Sequence, residues 1–397
     1  MWVHARGYMN ILLTLGRMPK GLDLARGLSA AGHTVFVADP HKNHVCRHSN
    51  AVQTSFRVSA PNINVDAYVD DMRAIVDAND IDMVIPISEE SVFAAQIAEH
   101  LPSGVGFFGP TFNTARQLHD KFHFNRAAQG LGLPAPETAL LGTPEAEDLA
   151  ARYDVIVKPV HGSAGIGIEC VPKGSSLPTK TSRPSLVQRQ LKGRLVTSMS
   201  IAKDGACLGT GVYEGTIFSG SVAIAFQRAD DTDPAHAWAR MFIENTNYTG
   251  FLSFDMFIED DGQAYAIECN PRLTSGIHLF DTESVARAIT TDDAAPPVRL
   301  RERRKFQHFW PALGNVEASI VTGGFFDKAP HFFKSADITF DGRDPMPFVM
   351  FNFCSGEIFK NWIGKKMSLG EAAITDIEWR EPEGDREPGI SAAVPGT

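Results

Sequence analysis

Residues 251–272 read FLSFDMFIEDDGQAYAIECNPR, in which alternating apolar runs flank Asp261-Gly262. An Asp-Gly pair between such runs predicts a β-hairpin with a two-residue loop. Counting outward from this loop places Asp255 directly opposite Glu268. Side chains in directly opposed positions lie about 5 Å apart at Cβ. The sequence therefore predicts two carboxylates that face each other across a strand pair.

The two faces of this predicted hairpin differ in polarity. The two-residue period of a strand gives one face an apolar set of side chains: Leu252, Phe254, Met256, Ile258, Tyr265, Ile267 and Cys269. The other face adds Asn270, opposite Ser253, to the two carboxylates. Two carboxylates this close repel by about 3 kcal/mol at an effective dielectric constant near 20. The polar face fits either a Mg²⁺ site, which such oxygen donors suit, or an exposed acidic hairpin.

Composition narrows the class of protein. The 397 residues, 43% hydrophobic and 21% charged, describe a globular chain of two or three domains. A net charge of −10 argues against a nucleic-acid partner, and no apolar run is long enough to predict a membrane span. Five dispersed cysteines without a CxxC pair indicate reduced thiols, and the N-terminus lacks a signal-peptide core. We therefore expect a cytoplasmic protein.

The first part of the chain alternates strands with helices. Apolar runs at 11–16, 35–39 and 83–87 are separated by helical stretches, one ending near Ala31 and one at about 66–79. This alternation predicts an α/β domain with a parallel sheet.

In a parallel sheet, ligands bind beyond the carboxyl ends of the strands. Gly16, Asp39 and residues 88–90 therefore edge one predicted crevice. Glu89 and Glu90 at its mouth either bind an ammonium group or cap the next helix. No GxGxxG follows the first strand, which argues against dinucleotide binding. The histidines that follow the second strand are expected to lie in a solvated loop: His41, His44 and His48.

The middle of the chain contains a glycine-rich loop between two strands. A helix is predicted from about 113 to 130, and residues 153–172 read as strand, loop and strand. The loop glycines let backbone N–H groups approach phosphate oxygens, and Lys158 adds a positive charge before the loop. A plain glycine hairpin is the alternative. Four more strands are predicted at 185–191, 196–202, 206–213 and 217–226.

Lys158, the glycine-rich loop and the acidic hairpin occur in this order, and in this the chain resembles the ATP-grasp superfamily. It is most similar to the carboxylate–amine ligase branch, which includes D-alanine–D-alanine ligase, biotin carboxylase and the ATP domains of carbamoyl-phosphate synthetase. The resemblance covers about residues 10–280. Its most specific part is I267-E-C-N-P-R272, which resembles the family's terminal E-x-N-P-R motif.

The resemblance implies an α/β fold with an N-terminal parallel-sheet domain, an ATP-grasp fold of two α+β subdomains and an extra C-terminal α+β domain. Composition after residue 295 differs from what precedes it, and the last residues are rich in Pro, Gly and acids. We expect an N-terminal domain at 1–112 and two grasp subdomains at 113–193 and 194–295. A C-terminal domain is expected at 296–380 and a disordered tail at 381–397.

The resemblance also implies ligands for ATP and for Mg²⁺ or Mn²⁺. Asp255, Glu268 and Asn270 resemble the family's metal ligands, and the Asp stands thirteen residues before the Glu, as in the family. The implied ATP-binding residues are Lys121, Lys158, His161, Gly162, Ser163, Gly165, Gly167, Gln188, Arg189 and Leu191.

Within that set the resemblance gives separate roles. Lys121 and Lys158 resemble the two phosphate lysines, and the glycine loop resembles the flap over the triphosphate. The Arg189 carbonyl and the Leu191 N–H would contact adenine. Two positions depart from the family: Gln188 replaces a glutamate of the hinge, and Leu195 replaces a glutamate that contacts ribose in many members.

The implied reaction is ATP-dependent ligation of a small-molecule carboxylate to an amine, an amino acid or a related compound, through an acyl-phosphate, releasing ADP and phosphate. The implied catalytic residues are Arg272, Lys158 and His278, the last as a base. The implied substrate residues are Arg272, Ser275, Gly276, His278 and Glu89. A homodimer is compatible with the family.

Two other functions stay open. The chain could phosphorylate an enol or another oxygen before amine addition, as mycosporine-glycine-forming members of the superfamily are thought to do, or it could be a non-catalytic nucleotide-binding protein. An arginine-rich stretch, 299–305, could bind a substrate acid or form a solvated face.

Overall fold

The computed structural model describes residues 7–162, 167–181, 183–220, 222–291, 296–365 and 369–379. The strands are β1 (Asn10–Leu13), β2 (Thr34–Asp39), β3 (Thr54–Arg57), β4 (Met83–Ile85), β5 (Gly106–Phe107), β6 (Thr138–Leu140), β7 (Val155–Pro159), β8 (Glu169–Val171), β9 (Ser185–Arg189), β10 (Arg194–Lys203), β11 (Ala206–Ser219), β12 (Val222–Arg228), β13 (Gly250–Ile258), β14 (Ala264–Asn270), β15 (Lys305–Gln307) and β16 (Ala336–Asp337). The α-helices are α1 (Pro19–Ala30), α2 (Val65–Ala78), α3 (Ser91–Ile97), α4 (Phe112–His119), α5 (Lys121–Gly130), α6 (Pro144–Arg152), α7 (Asp233–Thr246), α8 (Thr282–Thr290), α9 (Phe309–Thr322), α10 (Phe325–Lys334), α11 (Met346–Cys354), α12 (Gly356–Lys365) and α13 (Leu369–Ile374).

The first sheet is parallel, as predicted, with strand order β3-β2-β1-β4-β5. Its central strands are buried on both faces, which explains their continuous apolar runs. The strand order reverses between β1 and β4, so the point at which such sheets bind ligands lies beyond the carboxyl ends of these two strands. Helix α1 starts there, with Pro19 in its first turn.

The second sheet is antiparallel, with order β6-β9-β7-β8. The single helix predicted over 113–130 is wrong in one respect, because α4 and α5 are separate helices. Asp120 between them is extended (ψ 114°), and its side chain accepts a hydrogen bond from the His123 N–H. This cap makes Lys121 the first residue of α5.

The third sheet has seven strands, ordered β14-β13-β10-β11-β12-β15-β16. The strands predicted at 206–213 and 217–226 are replaced by the longer β11 and by β12. Helix α7 covers one face, where Trp238 and Phe242 pack against Phe124 and Phe254. The C-terminal region contributes β15 and β16 to this sheet. The overall α/β class, with a parallel N-terminal sheet followed by α+β layers, is the predicted one.

The acidic hairpin has the predicted register at the carboxylates but a different loop. Asp255 pairs with Glu268 as predicted, yet nearer the turn Ile258 pairs with Ala264. The loop therefore has three residues, closed by a hydrogen bond from the Gly262 N–H to the Glu259 carbonyl, with Gly262 at φ +75°. A bulge beyond Asp255 absorbs the extra residue.

The bulge also corrects the predicted faces of β14. Ala264 and Ala266 join the core beside Cys269, whereas Tyr265 and Ile267, predicted on the apolar face, are not part of it. The Tyr265 hydroxyl instead donates to Asp261 in the loop.

The last described residues return to the first sheet. Trp379 packs edge-on against Phe93 and Phe112, and Asp376 forms an ion pair with Arg17. The predicted tail, 381–397, lies outside the described residues. In the part of the chain that the structure describes, no helix has the length and apolarity needed to cross a membrane.

Candidate active site

The carboxylates of Asp255 and Glu268 meet between β13 and β14, within hydrogen-bonding reach of each other. The Thr197 hydroxyl, on the neighbouring β10, donates to Asp255 Oδ1 at 2.6 Å. Burial and the facing Glu268 raise the pKa of Asp255. Burial opposes ionisation of Glu268 too, but Lys121 and Lys158 lower its pKa overall. The surroundings thus favour the ionised form of Glu268 and disfavour that of Asp255, as expected where a cation or a proton is needed.

Asn270 lies between these carboxylates and Arg272. Its Nδ2 is 3.4 Å from Glu268 Oε1 and 3.5 Å from Asp255 Oδ2, while its Oδ1 accepts a 2.9 Å hydrogen bond from Arg272 Nη2. The bond from Arg272 orients the amide. Rotation of that amide would turn its oxygen towards the carboxylates, which completes a set of three oxygen donors.

Two buried lysines flank the carboxylates on the side of the second sheet. Lys121 Nζ donates to the Gly162 carbonyl at 2.5 Å and lies 3.5 Å from Glu268 Oε2. Lys158 Nζ donates to the Ile267 carbonyl at 3.0 Å. Burial lowers the pKa of Lys158 to about 8, despite the opposing effect of Glu268. Two cations so close to a carboxylate pair form a polar pocket suited to an anion carrying a divalent cation.

The glycine-rich loop starts beside these lysines. Gly162 (φ +141°) and Gly167 (φ +75°) have backbone conformations that favour glycine. His161 Nε2 lies 3.5 Å from Asp120 Oδ2, so the loop's first residues contact the turn before α5. Two other predicted ATP-binding residues of this loop, Ser163 and Gly165, lie outside the described residues.

The predicted adenine hinge follows β9. Gln188 is buried, and its Nε2 donates to the Thr138 hydroxyl at 3.0 Å, so this amide is used within the sheet. Arg189 pairs with Glu259 at 3.1 Å. No described residue accepts a hydrogen bond from the Leu191 N–H, which keeps it available for a ligand. Leu195, 50% exposed, offers only an apolar surface at the predicted ribose position.

Residues after the motif form a short 3₁₀ turn, Ser275–Leu279. Gly276 is packed so closely that an added Cβ would lie 2.4 Å from Cβ of Met199. His278, predicted as a base, is 1% exposed and its Nδ1 is 2.7 Å from Asp23 Oδ2. Its environment is therefore that of a buried, paired side chain.

Glu89 faces the site across the crevice of the first sheet. Its Oε1 lies 2.6 Å from Arg272 Nη2, and both side chains are nearly buried. Glu90 accepts hydrogen bonds from the N–H groups of Ile87 and Ser88, so it braces the loop; the predicted capping of α3 by its side chain is wrong.

Two other sequence interpretations need correction. His41 and His44 are buried, not in a solvated loop, and His44 Nε2 is 2.6 Å from the Ser55 hydroxyl. The arginine-rich stretch is neither wholly solvated nor at the site, because Arg301 pairs with buried Asp23 at 2.8 Å. Within the described ranges, no group of three or more His, Cys, Asp or Glu side chains forms a metal centre.

Sequence reasoning missed Thr197 and Lys20. Thr197 sits next to Asp255 only because β10 pairs with β13, far away in sequence. Lys20, in the first turn of α1, donates from Nζ to the Leu273 carbonyl at 2.8 Å. Lys20 follows the carboxyl end of β1, and that position was the available signal.

Residues 118–276 match the ATP-grasp domain family model. The chain thus contains an ATP-grasp domain, and the match spans both lysines, the hinge and the acidic hairpin.

Solved structures share the fold. An N5-carboxyaminoimidazole ribonucleotide synthetase in complex with ADP has 17% identity and a TM-score of 0.61 over 79% of this chain and 85% of that one. Campylobacter jejuni biotin carboxylase in a β,γ-ATP complex has 16% identity and a TM-score of 0.58, over 74% of each chain. The biotin carboxylase domain dimer of Hydrogenobacter thermophilus 2-oxoglutarate carboxylase, with MgADP, ADP and bicarbonate, has 13% identity and a TM-score of 0.56 over 74% of this chain and 73% of that one. At these identities the likeness is one of fold.

Proposed function

We propose that this protein is an ATP-dependent ligase that activates a small-molecule carboxylate as an acyl-phosphate and joins it to an amine. The observation that carries this proposal is the opposed pair of Asp255 and Glu268, flanked by Lys121, Lys158 and Arg272. A protein that only binds nucleotide has no need for two half-buried carboxylates that repel each other. A metal-dependent phosphoryl transfer has that need.

The donor set fits Mg²⁺ or Mn²⁺. Asp255, Glu268 and the amide oxygen of Asn270 are hard oxygen ligands, and strand pairing sets the two carboxylates opposite each other. A bound cation would neutralise charge on the phosphate oxygens. The fold neighbours named above carry ADP, ATP or MgADP in their crystals, which supports nucleotide use.

In the proposed reaction the chain mainly positions its substrates. Lys121 and Lys158 hold the triphosphate, and Arg272 holds the γ-phosphate near the substrate carboxylate. A carboxylate oxygen attacks the γ-phosphorus and the bond to the β-phosphate oxygen breaks, releasing ADP. The amine then attacks the acyl carbon, phosphate leaves with the C–O electron pair, and the nitrogen loses its surplus protons. Glu89 is the candidate to accept a proton.

The test is phosphate release from ATP with Mg²⁺ and a panel of amino acids and carboxylic acids, with products read by mass spectrometry. We expect phosphate release only with a matched acid and amine, and a product whose mass is their sum less one water. Glu268→Gln should abolish that product. A product that retains phosphate on an enol or hydroxyl oxygen would favour oxygen phosphorylation, and tight ATP binding without turnover across the panel would favour a binding protein.

We further propose that the protein acts in the cytoplasm on small molecules. A homodimer is compatible with this proposal. One fold neighbour is described as a domain dimer, and sedimentation of the purified chain would settle the oligomeric state.

A further inference from the structure

The crevice of the first sheet opens directly onto the ATP-grasp site. It lies between the carboxyl ends of β1 and β4, where the strand order reverses. Lys20 enters it from the helix after β1, and Glu89 from the loop after β4. On the opposite wall, Arg272 and the Leu273 carbonyl follow directly after the acidic hairpin. The reacting end of the proposed site therefore borders a cleft with one cation and one carboxylate from the N-terminal domain.

Several hydrogen-bonding atoms of the charged side chains in this cleft have no partner among the described residues. Glu89 Oε1 is paired with Arg272, but Glu89 Oε2 is buried and has no hydrogen-bond partner among the described residues. Arg272 Nε is also buried without a partner. Lys20 Nζ uses one of its three N–H bonds on the Leu273 carbonyl. A buried carboxylate oxygen without a donor is costly, and here it lies beside a lysine with donors to spare.

The environment of Lys20 points to an anionic ligand. Burial and the neighbouring Arg272 lower its pKa to about 7, against the opposing effect of Glu89 and Glu90. The half-buried His308 is also close enough to interact with Lys20. A ligand carboxylate could accept from the N–H bonds of Lys20 that the Leu273 carbonyl does not use, and a ligand donor could reach Glu89 Oε2.

We propose that Lys20 and Glu89 bind the amine substrate as a zwitterion, an α-amino acid whose carboxylate contacts Lys20 and whose ammonium group contacts Glu89 Oε2. This inference rests on the proposed ligase function. A simple amine would offer no acceptor to the N–H bonds of Lys20 that the Leu273 carbonyl does not use, and a simple acid would leave Glu89 Oε2 without a donor. Only a ligand with both groups satisfies the cleft. The amino nitrogen would then lie beside Arg272, at the end of the site where the proposed acyl-phosphate forms.

The test measures binding and turnover separately. The full chain is saturated with Mg²⁺ and a non-hydrolysable ATP analogue, and the twenty common amino acids are titrated by calorimetry. The best binder is compared with its carboxamide, which lacks the carboxylate, and with its 2-hydroxy acid, which lacks the ammonium group. We expect the wild type to bind the amino acid at least about tenfold more tightly than either analogue, as one charge-assisted contact is lost in each.

The variants assign each contact. Lys20→Met should weaken the amino acid about tenfold and leave the carboxamide unchanged, and Lys20→Arg should restore most of the loss. Glu89→Gln should weaken the amino acid and the carboxamide but leave the 2-hydroxy acid unchanged. Lys203→Met is the matched control, because Lys203 also donates to a main-chain carbonyl, that of Thr291 at 2.7 Å. Lys203 lies six residues along β10 from Thr197, or about 20 Å from the carboxylate pair.

Equal weakening of amino acid and carboxamide by Lys20→Met would overturn the inference, because Lys20 would then only hold the cleft together. Binding of simple acids or amines in place of every amino acid would overturn it as well. Amide formation is scored separately by mass spectrometry. Selective binding without any amide refutes the ligase and leaves the zwitterion site standing. Amide formation from a non-zwitterionic amine, unaffected by Lys20→Met, refutes the zwitterion site and leaves the ligase standing.

Discussion

Two carboxylate clusters in this protein, one around the buried Asp23 and one around the half-buried Asp255, are built in opposite ways. Asp23 on α1 accepts from Arg301 at 2.8 Å and pairs with His278 at 2.7 Å. Asp255 instead faces another carboxylate, Glu268, with one hydroxyl donor from Thr197. Although burial works against it, the Asp23 pKa is lowered to about 2 by His278 and Arg301, whereas the Asp255 pKa is raised.

We interpret the Asp23 cluster as structural and the Asp255–Glu268 cluster as the proposed metal site, and call them the structural pair and the functional pair. At Asp23 folding supplies every charge that the carboxylate needs, so the cluster joins α1 to the turn at 275–279. At Asp255 folding brings like charges together. Lys121 and Lys158 favour the charged form of Glu268, whereas burial and Glu268 disfavour that of Asp255. The positions of acids in the sequence do not distinguish these clusters, whereas the side chains that surround each acid in the structure do.

The largest expected effect is on catalysis at the functional pair. Glu268→Gln should lower phosphate release at least about 10³-fold, the scale of losing one preorganised charge at a reacting centre. Glu283→Gln, an exposed glutamate paired with Arg287, is the matched control and should keep the wild-type rate. Steady-state assays with the best panel substrates measure both. If Glu268→Gln retained more than a tenth of the activity, the proposal that Glu268 is a metal ligand would be wrong.

The next effect is on stability at the structural pair. Asp23→Asn should lower the free energy of unfolding by about 3 kcal/mol, because it leaves the buried His278 and the half-buried Arg301 without their counter-charge. Denaturant titration followed by fluorescence measures the change. The folded variant should still bind MgADP with wild-type affinity. A loss below about 1 kcal/mol would mean that this cluster contributes little to the fold.

Stabilisation of the folded protein by MgADP is a further way to compare the two pairs. MgADP at a hundred times its dissociation constant should stabilise the wild type by about 2.7 kcal/mol, and most of this gain should vanish in EDTA. The same addition should stabilise Asp23→Asn equally and Glu268→Gln far less. Thermal melts with ADP, with and without Mg²⁺, test this. Equal stabilisation with and without Mg²⁺ would count against a metal at the carboxylate pair.

The contribution of Asp23 to the free energy of unfolding should be lost over a defined pH range. Because the Asp23 pKa is lowered in the folded state, its contribution is complete above the unfolded value of about 3.8 and is lost as pH falls through about 2. The loss amounts to about 2 kcal/mol. Urea midpoints of wild type and Asp23→Asn should therefore converge between pH 4 and pH 2. A constant difference over that range would show that Asp23 does not titrate as described.

The smallest expected effect is a gain in stability. Without metal, Asp255→Asn should raise the free energy of unfolding by about 1 kcal/mol, because it removes one of two facing charges from a buried strand pair. Melting in EDTA measures the shift. A lower melting temperature than wild type would mean that the pair is already compensated within the chain.

The sequence predicts the central pair because hairpin register is a local property. The alternating pattern of residues 251–258 fixes which side chains of β13 face the core, and Asp255 is left on the polar face. The predicted two-residue loop is nevertheless wrong. A three-residue loop with Gly262 in the left-handed region and a bulge beyond Asp255 shift the register twice in opposite senses. The faces are therefore exchanged only between the loop and the bulge, where Tyr265 and Ile267 leave the core face.

The sequence does not predict what comes from other elements. Thr197 reaches Asp255 through strand pairing, and Lys20 and Asp23 arrive on α1, more than two hundred residues before the hairpin. No local spacing encodes these contacts. His278 shows the reverse error. Its place after the motif suggests a base, while the distant Asp23 gives it a buried partner.

The most direct test of the account is a crystal structure with ADP and Mn²⁺, with data collected to reveal the anomalous signal of manganese. The account predicts a manganese peak between the carboxylates of Asp255 and Glu268, bridged to the ADP phosphates, with the Asn270 oxygen turned towards it. ADP bound without manganese at this pair, or manganese bound elsewhere, would contradict it.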